Sequence, residues 1–146
     1  MDQLELRKKG VLPVIDVAGH CFTVDVRLNE LRNVDFPWKK LNLDEMVTGP
    51  DGRHYLFFFD VKNMCILHSS PDLVAVPDHV VLVKIPDEMG LDPVGLARNY
   101  GLGDEYFLKM HPFDPVPSAQ ITPLENSGLL EFVAENRKRI RESHFG

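Results

Sequence analysis

Residues 21–28 read Cys-Phe-Thr-Val-Asp-Val-Arg-Leu, and their alternation decides how the chain is read. Phe22, Val24, Val26 and Leu28 fall on one side of an extended chain, while Thr23, Asp25 and Arg27 fall on the other. Successive side chains of a strand point to opposite faces, so this period of two predicts an antiparallel strand with one face on a core and one in water. The preceding stretch at 11–18, VLPVIDVA, is equally rich in β-branched residues and is separated from it by the short break Gly19-His20. Together the two predict a β-hairpin.

Further along, Tyr55-Leu56-Phe57-Phe58-Phe59 places apolar side chains on both faces. That pattern fits a central strand covered on both sides, or an edge that a partner covers. The turn-forming run at 60–63, DVKN, leads into Met64-Cys65-Ile66-Leu67-His68 and predicts a second hairpin. A fifth strand, VVLVKI at 80–85, follows a loop that carries Pro71 and Pro77. Between the hairpins, residues 29–53 hold Pro37, Gly49, Pro50 and Gly52 and keep no period. They predict a long surface connection with one helical turn near Asp44-Glu45-Met46.

After Pro86 the pattern turns helical. Asp92 stands as an N-cap before Pro93, predicting a helix over 91–100 that ends at Gly101, and a second short helix spans 104–110. Four prolines, Pro112, Pro115, Pro117 and Pro123, exclude regular helix and predict an extended arm. From residue 125 or 127 to 142 an amphipathic helix is expected, with Leu129, Leu130, Val133 and Ile140 on its apolar side. The chain therefore predicts an α+β fold: one antiparallel sheet of about five strands, made of two hairpins plus one strand, with two or three helices in the C-terminal half. Residues 1–111 form a single domain, and 112–146 form a proline-rich arm and helix that pack on the same domain or on a partner subunit, because so short a helix needs cover.

The 146 residues are 44% hydrophobic and 26% charged, ordinary for a globular domain. No apolar run approaches the ~20 residues of a bilayer crossing, and MDQLELRKKG has no apolar leader region, so a cytoplasmic location with Cys21 and Cys65 reduced is expected. The net charge of −6 is uneven. Residues 136–146 carry Arg137, Lys138, Arg139 and Arg141 against Glu142, a local +3 that leaves −9 for the rest. Nucleic-acid binding is accordingly expected to be absent, or weak and confined to this cluster, whose plainer role is to complement the negative end of a helix dipole.

The chemistry-bearing residues form no reaction motif. Cys65 and His68 have half the spacing of a zinc site, but the other pair, His20-Cys21, is adjacent in a strand and points to opposite faces. Both cysteines lie in apolar stretches and are expected to be inert core thiols. Asp16 and Asp25, in the two arms of the first hairpin, are candidates for a carboxylate pair, with a solvated network around Arg27 as the plainer reading. The glycines at 90, 95, 101 and 103 read as caps and turns, since Asp92 at the helix start would repel phosphate. Helices at 91–100 and 104–110 could imitate a helix-turn-helix, yet the second is acidic at its start and offers a single Lys109.

No catalytic, cofactor-binding or metal-ligating residue is assigned, and no cofactor is expected. The interaction candidates are Leu129, Leu130, Val133, Arg137, Lys138, Arg139 and Arg141. The function expected is a non-catalytic binding or assembly module with a protein partner or a second copy of itself. The rivals are a small enzyme or ligand-binding protein with His54, Tyr55, Asp60 or His68 at the mouth of a pocket between sheet and helices, and a nucleic-acid accessory protein.

Overall fold

The first hairpin forms where the period-two pattern meets a glycine. β1 (Val14–Val17) and β2 (His20–Asp25) pair antiparallel with Val17 opposite His20 and Asp16 opposite Cys21. The turn is Ala18-Gly19 rather than Gly19-His20. Both residues have positive φ, 52° and 89°, the backbone of the tight two-residue turn that matches strand twist. Ile15 and Val17 point inward with Phe22, Val24 and Val26. Leu28, expected on that face, lies beyond the strand and is exposed. The computed structural model describes residues 2–68, 75 and 78–145, with side chains of the last helix described as far as residue 142. Pro71 and Pro77 lie outside the described residues.

Residues 29–53 are more than a connection. They contain β3 (Glu30–Asn33), β4 (Lys40–Asn42) and β5 (Val47–Thr48), with a 3₁₀ turn at Leu43–Glu45 where the helical turn was expected. β1 to β4 make a four-stranded sheet in sequential order. A second sheet of five is built on β6 (His54–Asp60), which pairs along its whole length with β8 (Val80–Pro86). β5 and β7 (Cys65–Ile66) share the other side of β6, and β9 (Gln120–Thr122) lies outside β8. The α+β class with antiparallel pairing stands, and among the described residues the strands form two sheets, of four and five, where one sheet of about five was expected.

The two sheets close on one core. Phe22 of the first sheet meets Phe59 of the second edge-on, ring centroids 6.1 Å apart, and Leu31, Leu41, Phe57, Val83, Ile85 and Leu91 fill the space around them. The arm then stitches the sheets together. Val14 N–H donates to the Pro115 carbonyl at 3.0 Å, and Asp16 and Ser118 form a parallel bridge. Four residues later, β9 pairs antiparallel with β8, Leu82 opposite Thr122. Pro115 serves the ladder with its carbonyl, the one backbone bonding group a proline has.

Among the described residues, four helices flank this frame. α1 (Gln3–Lys8), absent from the sequence reading, is capped by the Asp2 carboxylate, which accepts from the Glu5 N–H at 2.8 Å. The helix expected at 91–100 is two, α2 (Glu88–Leu91), capped by Asp87, and α3 (Pro93–Asn99). Asp92 sits at the start of α3 but makes no cap bond. Residues 104–110 are not a helix; they run as turns closed by short-range bonds such as Tyr106 N–H to the Gly103 carbonyl at 3.0 Å. α4 (Leu129–Phe145) follows a 3₁₀ turn at Leu124–Asn126 that rests on β8. Among the described residues, no helix is long and apolar enough to cross a membrane.

Candidate functional site

The residues singled out from sequence do not converge. Cys21 and Cys65 are both exposed, a correction to their expected core placement. Cys21 is out of phase with the inward-facing Phe22 and Val24, and Cys65 lies on a two-residue strand at the margin of the second sheet. What burial Cys65 keeps, together with the charge of Asp60, raises its thiol pKa. His20 bonds the Val61 carbonyl at 2.9 Å, while His68 lies 3.4 Å from Glu45. Among the described residues, no three His, Cys, Asp or Glu side chains gather where they could hold a metal ion. Asp16 and Asp25 are not a pair either: the register sets Asp16 against Cys21, and Asp25 is bonded to Arg32 at 2.6 Å.

The pocket residues proposed around β6 are likewise dispersed. His54 and Asp60 lie at opposite ends of the strand, His54 bonded to Asp51 at 2.6 Å and Asp60 accepting from the amides of Lys62 and Asn63. Tyr55 donates to Glu88, and burial together with that carboxylate raises its phenol pKa far above the ordinary value. His68 does line a cavity of about 470 Å³ on the outer face of the second sheet, with Leu56, Phe58, Ile66 and Leu82 as its apolar wall. In α4, Leu129 and Val133 are buried and Leu130 half-buried, whereas Arg137, Lys138, Arg139 and Arg141 are exposed.

The sharpest surface feature is the loop between β3 and β4, which the sequence reading passed over. Asn33, at the end of β3, is buried, and its side-chain oxygen accepts from the amides of Asp35 at 3.0 Å and Phe36 at 2.9 Å. Its side-chain amide donates to the Met64 sulfur at 3.4 Å, tying the loop to the second sheet. Two backbone bonds close the loop, Lys39 N–H to the Phe36 carbonyl at 2.8 Å and Asn33 N–H to the Lys39 carbonyl at 3.0 Å. Pro37 fixes one further dihedral. On this braced turn Val34 is 49% exposed, Phe36 44% and Trp38 72%. Phe36 and Trp38 meet edge to face with centroids 5.5 Å apart.

Apolar side chains held outward by such bracing cost free energy in the free protein, since nothing removes them from water. The charges around the loop are mixed: Asp35 stands exposed in the loop itself, and Lys40 lies 3.8 Å from Glu30. Lys39 Nζ donates to the Asn63 carbonyl at 3.1 Å, which ties the loop to the β6–β7 turn. The signal available in the sequence was the single tryptophan of the chain, next to a proline and in a segment without strand or helix period. Compared with family models, curated proteins and solved structures, the chain matches none.

Proposed function

We propose that this protein is a protein-recognition module that binds by insertion, with the β3–β4 loop as its anchor. The observation that carries the reading is the outward presentation of Val34, Phe36 and Trp38 on a turn fixed by Asn33. Tryptophan is prominent among residues that dominate interface energies, and a preformed loop loses little conformational freedom on binding. The convex shape asks for a concave partner. The partner fitted is a folded protein whose apolar cleft takes Val34, Phe36 and Trp38.

The test uses the sole tryptophan as both anchor and reporter. The full chain, its Trp38→Ala variant and a Tyr106→Ala control are used to capture binding proteins from extracts of the source cells, and the captured protein is then purified and titrated. Loss of affinity of about thirtyfold or more for Trp38→Ala, none for Tyr106→Ala, and a blue shift of Trp38 emission on binding are expected. A captured partner that binds Trp38→Ala as well as the unaltered chain, or emission that stays water-like in the complex, overturns the reading. Concentration-dependent burial of Trp38 in the purified protein alone would replace the outside partner with a second copy.

A further inference from the structure

At the opposite end of the first sheet from the aromatic loop, a cavity of about 460 Å³ lies between α1, the end of β2 and α3. Arg7, Arg27 and Arg98 line it, with Asp25, Asn99 and Gly95. Its donors outnumber its acceptors. Asp25 has both oxygens engaged, one by Arg32 at 2.6 Å and one by the Leu28 amide at 3.1 Å. Arg7, only 4% exposed, spends Nε and Nη2 on Asp92, and among the described residues its Nη1 has no bond. Among the described residues no buried side-chain nitrogen is left without a partner, so Nη1 reaches the cavity rather than being sealed in the core. Arg98 uses Nε and Nη2 on Asp104 and the Lys8 carbonyl, leaving its Nη1 as well. Arg27 is exposed, and among the described residues no side chain or carbonyl bonds its guanidinium.

We infer that this cavity binds the phosphate group of a small phosphorylated molecule. Guanidinium groups are always charged and carry donors in the geometry that oxyanions accept. Here they come from three separate elements, which suits a tetrahedral oxyanion approached from several directions better than a flat carboxylate. Arg7 and Arg98 are ion-paired with Asp92 and Asp104 and offer an anion their remaining N–H groups, so the uncompensated positive charge at the cavity is that of Arg27. Gly95 lets the Arg7–Asp92 pair lie against α3: a Cβ there would come within 2.3 Å of the Asp92 carboxylate and 3.0 Å of Arg7. A second cavity of about 490 Å³ shares Val26, Arg27 and Asn99 with the first and is lined further on by Asn29, Asp87 and Glu88. Asp87 gives one oxygen to the Gly90 amide and Glu88 one to Tyr55, and the second oxygen of each suits a hydroxyl group on the remainder of the ligand.

The experiment follows the arginine side-chain Nε–H resonances of the full chain by NMR as inorganic phosphate, glycerol 1-phosphate or acetate is added at constant ionic strength. Saturable shifts of Arg27 and Arg98 with phosphate, tighter binding of glycerol 1-phosphate, and weaker binding of acetate are expected. Arg27→Gln, at an exposed site where the fold is not at stake, should weaken phosphate binding about tenfold, while Arg53→Gln, an exposed arginine before β6, should not. Unaltered resonances at tens of millimolar phosphate, or equal binding by Arg27→Gln and the unaltered chain, overturns the site. Acetate binding as tightly as phosphate overturns the assignment of the anion, and glycerol 1-phosphate binding no better than inorganic phosphate overturns the role of the second cavity.

Discussion

Replacing Asp92 by alanine tests the deepest electrostatic element of the fold. Asp92 is 0% exposed and receives three bonds from Arg7, from Nε at 3.1 Å to each oxygen and from Nη2 at 2.7 Å. The pair joins residues 85 positions apart, so it fastens α1 onto α2 and α3. Removing the carboxylate leaves a buried guanidinium without its counter-charge, which typically costs about 3–5 kcal/mol, a large share of the ~5–15 kcal/mol that holds a domain together. The loss has a ceiling, because α1 can undock and return Arg7 to water. Urea unfolding followed by far-UV circular dichroism measures the cost, and hydrogen exchange of the α1 amides shows whether the ceiling was reached. Arg7→Met with Asp92→Leu, two apolar residues of similar volume, should restore most of the stability, since well-packed apolar residues often replace a buried pair without loss. Asp92→Ala costing less than about 1 kcal/mol while α1 stays protected would refute the reasoning.

Acid should weaken the fold partly through Asp25. Burial alone would raise its pKa, but the bonds from Arg32 and Leu28 outweigh that and hold it below the ordinary carboxylate value. A carboxyl with a depressed folded pKa contributes stability that is complete above its unfolded value, about 4, and is lost as pH falls through the folded value. Asp25→Asn should therefore flatten the acid limb of a stability–pH curve, and an unchanged limb would exclude the group. Both cysteines should react with a thiol reagent in the native protein, Cys65 accelerating only above the ordinary thiol pKa because its own is raised; labelling that needs denaturant would contradict their exposure. Truncation after His111 should lower the melting temperature and promote aggregation by uncovering β1 and β8, and a truncated chain that melts like the whole would show the arm to be dispensable.

The parts of the fold that were legible are those whose signal is local and long. β2, β6 and β8 each run six or seven residues, enough for the period of two, or for its replacement by apolar residues on both faces, to stand out. β3 is four residues with Asn33 on its buried face, and β5 is two residues that are both exposed, so neither carries a hydrophobic pattern. Residues 104–110 carry good helix formers but too few of them to nucleate alone, and the chain turns instead. Asp92 was placed correctly at the head of a helix, yet its carboxylate goes to Arg7, a long-range choice no local rule contains. The cysteines were misjudged from the apolar character of their neighbours. Phase was the better guide, since Cys21 alternates against Phe22 and Val24.

The placement of the candidate site follows from how the sheets are closed. A strand edge offers unpaired amides and carbonyls, and a partner can bind simply by adding a strand. In this chain the edges of β1 and β8 are already taken by residues 115–122, whose prolines limit further pairing outward. Strand addition at those two edges would first have to displace the arm. A partner that docks on the loops projecting from the strand ends, as proposed, meets no such obstacle. The β3–β4 loop is both apolar and braced against the second sheet, through Asn33 to Met64 and Lys39 to Asn63. The same closure leaves the other end of the first sheet facing α1 and α3, where arginines from three elements meet around a cavity. Binding of a phosphate there and of a protein at the aromatic loop would use opposite ends of β2 and β3, so neither ligand would obstruct the other.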